Sequence, residues 1–151
     1  MSELKFRPAI FGVTYAFHDG EIKYIILRRK KHWIGWEFPK GKIERFEFKR
    51  WAVKREVREE TGLKILRVRK FSEHGKYLYR RKLKDRPKYK GQTYHLFAVK
   101  TKFDKKITLD KTEHSGFKWM NFKEAEKKLT WQDQKKCLKI VNDWLKKNEK
   151  N

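Results

Sequence analysis

Apolar and aromatic positions fall in short runs along this chain, each broken by charge, glycine or proline. Residues 6–17, FRPAIFGVTYAF, have the aromatic and β-branched content of a strand. Asp19-Gly20 is a hairpin-turn pair, and Ile22–Leu27, carrying Tyr24-Ile25-Ile26-Leu27, predicts the returning strand. Trp36–Gly41 predicts an extended segment that Pro39 forces into a tight turn. The next stretch predicts a helix over Phe48–Thr61, ending at Gly62, whose tolerance of positive φ suits the position after a helix. Ile65–Phe71 and Tyr77–Leu83 predict strands, Lys84–Lys90 a basic loop holding Pro87, and Thr93–Lys102 and Gly116–Met120 two more strands. Phe122–Leu129 predicts a short helix with Asn121 as its N-cap. Residues 131–147 predict a longer one, with Cys137, Ile140, Val141, Trp144 and Leu145 at helical spacing, before a frayed KKNEKN tail. Strands interleaved with helices indicate an α/β chain, and the lack of repeats, linkers or composition breaks indicates one domain over residues 1–151.

Composition changes this picture little but adds a partner class. At 151 residues, 38% hydrophobic and 15% aromatic, the chain can bury a core despite being 40% charged. No apolar run approaches the roughly 18 residues of a membrane span, and the N-terminus lacks a signal-peptide apolar segment. The single cysteine, Cys137, excludes an internal disulfide and points to a reducing cytoplasm. Its helical register puts it on the apolar face, which argues against a nucleophile. The five histidines show no metal-ligand spacing, so zinc is not expected. A formal charge of +23 favours polyanions such as polyphosphates or RNA, unless the excess is only a solvated surface.

Candidate chemistry gathers between Gly41 and Leu63. Glu56, Glu59 and Glu60 stand at i, i+3 and i+4, on one face within about one helical turn. Like charges so placed destabilise a helix unless a counter-charge intervenes. Lys54, Arg55 and Arg58 could serve on a solvated face; a divalent cation such as Mg²⁺, which takes oxygen ligands, is the functional alternative. The spacing of Gly41, Glu47, Arg55-Glu56, Val57, Glu59-Glu60, Gly62 and Leu63 resembles the Nudix box at its defining positions.

That resemblance implies a Nudix-type α/β/α sandwich with a mixed central sheet and hydrolysis of nucleotide pyrophosphate bonds with Mg²⁺ or Mn²⁺. It implies metal ligation by Glu56 and Glu60, with Glu59 as a further ligand or base and the Gly41 carbonyl completing the set. It also implies a structural ion pair between Glu47 and Arg55. One position departs from the pattern: Phe46 stands where glycine commonly precedes the first box glutamate, leaving the Ile43–Glu47 loop the least defined part of the motif.

Outside the box, Trp36, Pro39, Lys40, Gly41 and Glu44 resemble the W-x-x-P-K-G-x-x-E segment of asymmetric dinucleoside tetraphosphate hydrolases. That likeness makes Lys40 a phosphate contact. The segment from Glu113 to Trp119 is similar to a later part of the same enzymes and makes Glu113 a second candidate ligand or base, the alternative being a surface acid. Gly91-Gln92, ahead of the strand, is similar to bacterial RNA 5′-pyrophosphohydrolases, and Gln92 is a candidate substrate contact. Tyr77 and Tyr79 are candidates to stack a base or to pack in the sheet; Arg80, Arg81, Lys82, Lys84, Arg86, Lys88 and Lys90 could grip a phosphate chain, Arg81 and Lys84 foremost, or be merely solvated. The leading reading is asymmetric cleavage of dinucleoside polyphosphates by a monomer, with RNA 5′-end processing or a silent RNA-binding module as alternatives. A silent module has no reason to keep mutually repelling acids together.

Overall fold

The strand Ala9–His18 carries the layers on its two faces. The computed structural model describes residues 3–149. In chain order the elements are β1 (Lys5–Arg7), β2 (Ala9–His18), β3 (Glu21–Arg29), β4 (Gly35–Glu37), β5 (Lys40–Lys42), α1 (Lys49–Thr61), β6 (Ile65–Leu78), β7 (Tyr89–Thr101), β8 (His114–Met120), α2 (Phe122–Lys128) and α3 (Gln132–Asn148). Side chains alternate across a strand. Phe11, Val13 and Tyr15 of β2 therefore pack with Leu138, Val141 and Leu145 of α3, while Ile10 packs with Ala52, Val53 and Val57 of α1. Helices cover both faces of a mixed sheet, giving the expected sandwich. A smaller cluster joins Ile25 and Leu27 of β3 to Leu63, Phe117 and Trp119.

The sheet forks where the chemistry lies. β2 pairs in parallel with β7 along one edge. Its other edge pairs antiparallel with β5 from Ala9 to Phe11, then with β3 from Tyr15 to His18. Between these partners the Gly12 N–H donates to the Pro39 carbonyl at 2.8 Å, so the proline turn is held in the fork. Glu37, Lys40 and Gly41, on either side of that turn, are thereby fixed to two different strands.

Several elements extend beyond their expected bounds. The hairpin forms at Asp19 and Gly20, both at positive φ (50° and 79°), and β3 runs on to Arg29. Gly62 closes α1 in the left-handed region at φ 73°, its N–H on the Arg58 carbonyl. Asn121 caps α2 in a reciprocal capping box with Glu124. The expected strand over Tyr77–Leu83 is not found. Instead β6 continues unbroken from Ile65 to Leu78, passing the polar residues 72–76 through a register shift against β7. The pairing stops because β7 begins only at Tyr89; the cation-rich stretch beyond Leu78 has no strand to pair with and leaves the sheet as a loop, with Leu83 buried. The tail also departs from expectation. α3 persists to Asn148, with Leu145 buried, and Glu149 accepts from the Tyr15 hydroxyl at 2.9 Å and pairs with Arg67. Lys150 and Asn151 of that tail lie outside the described residues.

Candidate active site

Helical spacing sets Glu56 and Glu60 on the inward face of α1 and leaves Glu59 exposed at its margin. Glu60 is 1% exposed; its Oε2 accepts the Lys40 N–H at 3.1 Å, and its Oε1 is buried without a partner. Glu56 lies against Gly41, where a Cβ would come within 2.1 Å of the Glu56 Cδ. Only glycine lets that carboxylate reach the β5 backbone. Arg55 gathers the rest: it bridges both oxygens of Glu47 at 2.9 Å, reaches Glu56 at 2.7 Å and Glu59 at 3.3 Å, and donates to the Lys42 carbonyl. The Ile43–Glu47 loop closes onto this pair because Phe46 takes φ 64°, the left-handed backbone a glycine would adopt there.

Glu113 reaches the same cleft from the start of β8. One ligand atom each of Glu60, Glu113 and His114 lie within 4.8 Å of one another. His114 joins this acidic cluster through the fold, which its spacing along the chain does not reveal. Its Nε2 is shared with Glu37 Oε2 at 2.7 Å, and its Nδ1 is buried without a partner. Behind it, Arg29 lies 3.2 Å from Glu37 and 4.0 Å from Glu113, and the Lys40 Nζ lies 3.7 Å from Glu37. Arg29, Glu37 and His114 were not foreseen as site residues. An acid in the otherwise apolar Trp36–Pro39 turn was the only local hint.

Electrostatics divide these acids. Burial raises the Glu56 carboxyl to about 7 despite Arg55, with Glu59 and Glu113 adding to the rise. Burial, then Glu56, Glu37 and Glu113, hold the Glu60 carboxyl well above the ordinary range. Burial would raise Glu37 as well, but Lys40, the His114 hydrogen bond and Arg29 bring it down to about 2. Glu37 is thus a fixed anion among cations, while at Glu56 and Glu60 burial and neighbouring carboxylates outweigh the nearby Arg55 and Lys40. Oxygen donors with an unmet demand for a counter-ion fit a hard divalent cation.

Opposite the acids the cleft, of about 240 Å³, turns basic. Arg7, Arg86 and the Tyr79 hydroxyl converge on the Oε1 of buried Gln92 at 3.0, 2.8 and 3.0 Å. Burial and then Arg86 hold Arg7 below its ordinary value, as expected of like charges sharing one neutral acceptor. Arg7 was not anticipated at all; its partner is 85 residues away. Gln92 also donates to the Tyr77 hydroxyl, which Lys40 approaches at 3.5 Å. Tyr77 is half-buried, its ring 6.4 Å from that of Phe11. A larger cavity of about 610 Å³, lined by Phe11, Trp33, Tyr77, Leu83 and Trp131, shares Arg29, Lys40 and Arg86 with the cleft. Arg81 lines this second cavity, donating to the His32 carbonyl, whereas Lys84 is exposed and lines neither.

Known proteins bear on this arrangement. The family model described as NUDIX domain matches residues 5–139. The chain is 29% identical over 152 residues to the RNA pyrophosphohydrolase of a Nitratiruptor species, covering 97% of each. A segment of 60 residues is 47% identical to the 8-oxo-dGTP diphosphatase of Buchnera aphidicola subsp. Schizaphis graminum, covering 38% of this chain and 45% of that protein. Among solved structures, a C. elegans Ap4A hydrolase binary complex superposes with a TM-score of 0.74 at 21% identity, covering 93% of this chain and 98% of that one.

Proposed function

From the premise that the chain belongs to the Nudix family, hydrolases that act on pyrophosphate bonds, we propose that it cleaves dinucleoside polyphosphates asymmetrically. The observation carrying this reading is the division of the site into an acidic wall, a facing basic wall and an adjoining aromatic cavity. Such a shape suits a polyphosphate chain with a nucleoside attached. Glu56, Glu60 and Glu113, with Glu59 and the Gly41 carbonyl at the margin, are the groups that would hold Mg²⁺ or Mn²⁺. The bound cation would supply charge neutralisation and a more acidic water.

The chain's own residues do the remaining work. Arg7, Arg86 and Lys40 bind phosphate oxygens and orient the anhydride, with Gln92 fixing both guanidiniums. Glu113 is the candidate to accept the proton of the attacking water, with the Arg29 guanidinium 4.0 Å away. Glu59 is the alternative base. Tyr77 or Trp33 offers a face to a base, since stacking stabilises by about 1–3 kcal/mol without reading sequence. Removal of pyrophosphate from RNA 5′ ends is the second reading, favoured by the full-length likeness to an RNA pyrophosphohydrolase.

The test is a panel of diadenosine tetraphosphate, 5′-triphosphorylated RNA, ADP-ribose and 8-oxo-dGTP, each with Mg²⁺ or Mn²⁺. The highest kcat/KM is expected for the tetraphosphate, with ATP and AMP as products. A higher value for the RNA would overturn the first reading in favour of the second.

A further inference from the structure

Beside the cleft, the segment leading into α1 carries aromatic rings that nothing in the fold covers. Phe46, Phe48 and Trp51 are 92%, 77% and 69% exposed. Phe46 is the least expected of them, because a bulky residue at φ 64° is strained and no packing of its ring offsets this. Among the described residues, only the Arg45 guanidinium sits over that ring, 5.0 Å from its centroid. Trp51 lies in the first turn of α1, so helical spacing sets Lys54 and Arg58 on its face. Among the described residues, Arg45, Lys49, Lys54 and Arg58 have no carboxylate at ion-pair distance. The acid within the segment, Glu47, is turned inward onto Arg55.

The patch continues the cleft. Arg45 lines a groove of about 500 Å³ that shares Arg7, Lys42, Glu44, Arg86 and Glu113 with the catalytic cavity. A polymer seated in that groove would pass Arg45, whose guanidinium lies over the Phe46 ring.

We propose that the Arg45–Trp51 shoulder, with Lys54 and Arg58, is a docking site for single-stranded RNA, distinct from the hydrolytic cleft. Protruding rings interleaved with unpaired cations match a strand that alternates bases with phosphates; a duplex hides its bases and has nothing to stack on them. The net charge of +23 complements the same partner. An anionic bilayer would also accept rings and cations, but continuity with a nucleotide-sized groove favours a polymer that threads it. The docking site holds whichever polyphosphate the cleft hydrolyses, because it engages nucleotides beyond the reacting phosphates.

The experiment uses the full chain in EDTA and a labelled single-stranded RNA of about 16 nucleotides with a 5′-hydroxyl end, so that no polyphosphate reaches the cleft. Fluorescence anisotropy should show that Phe46→Gly, Phe48→Ser and Trp51→Ser together raise Kd about tenfold or more. The slope of log Kd against log salt should not change, since no cation is removed. A duplex of the same sequence should bind both proteins equally. Phe46→Gly alone should weaken RNA binding while keeping or raising the Tm, which separates docking from folding. The proposal is overturned by an unchanged Kd in the triple variant or by an equal loss on the duplex. It is also overturned if the variant loses phosphatidylserine-vesicle binding with RNA binding intact. A wild-type dimer that the variant dissociates, again with RNA binding intact, would show instead that the patch joins two copies of this chain.

Discussion

Glu56 and Glu60 stand one helical turn apart on the buried face of α1, and neither has a cation of its own strong enough to keep it ionised. Glu60→Gln should therefore lower kcat at saturating metal by at least about 10²-fold with the fold intact. Near-wild-type turnover would remove Glu60 from the ligand set. The same acids predict a pH dependence of stability. The Glu56 carboxyl is raised to about 7 in the folded protein, so between its ordinary value and about 7 the folded state holds a proton the unfolded state has lost. Stability from this group is present at low pH and lost as pH rises through that window. The metal-free Tm should fall between about pH 5 and about pH 8 more steeply in the wild type than in Glu56→Gln. Added Mg²⁺ should restore the wild type at the upper end. Parallel profiles for the two proteins would mean that Glu56 titrates normally.

At the scale of elements, α1 and the loop before it are joined by Arg55, whose guanidinium serves Glu47, Glu56, Glu59 and the Lys42 carbonyl at once. Arg55→Ala should cost about 2 kcal/mol, tempered by its partial exposure, and should reduce the rate as well. A fall in rate with an unchanged Tm would recast Arg55 as a substrate ligand. This element was legible in the sequence because its geometry is local: i, i+3 and i+4 on a helix, a glycine where Glu56 meets the backbone, and a glycine cap. Even Phe46, out of pattern as a residue, keeps the loop by adopting the backbone of the glycine it replaces. The sequence was a poorer guide where structure depends on partners. β6 runs through 72–76 because β7 lies alongside it, and the chain beyond Leu78 leaves the sheet because no strand does. Likewise Glu37 and His114 meet across 77 residues, a pairing that no local pattern encodes.

At the scale of the whole molecule, the question is which of the many cations matter to substrate. Along the chain, the cations from Arg80 to Lys90 follow one another closely, with nothing to set Arg81 and Lys84 apart from the others. The fold separates them. Arg86 turns into the cleft to share Gln92 with Arg7, Arg81 faces the neighbouring aromatic cavity, and Lys84 faces solvent. Charge that faces a polyphosphate at close range acts on binding, whereas exposed charge is screened within about 8–10 Å at ordinary ionic strength. Arg7→Ala and Arg86→Ala should therefore each raise KM for diadenosine tetraphosphate by about tenfold or more, with kcat much less affected. ADP-ribose, with a shorter phosphate chain, should lose less. Lys84→Ala should leave both substrates within about twofold of wild type. Steady-state kinetics on the three variants decides the matter. If Lys84→Ala raises KM as much as Arg86→Ala does, the polyphosphate runs across the outer face of the loop, and the basic wall of the cleft serves only to hold Gln92 in place.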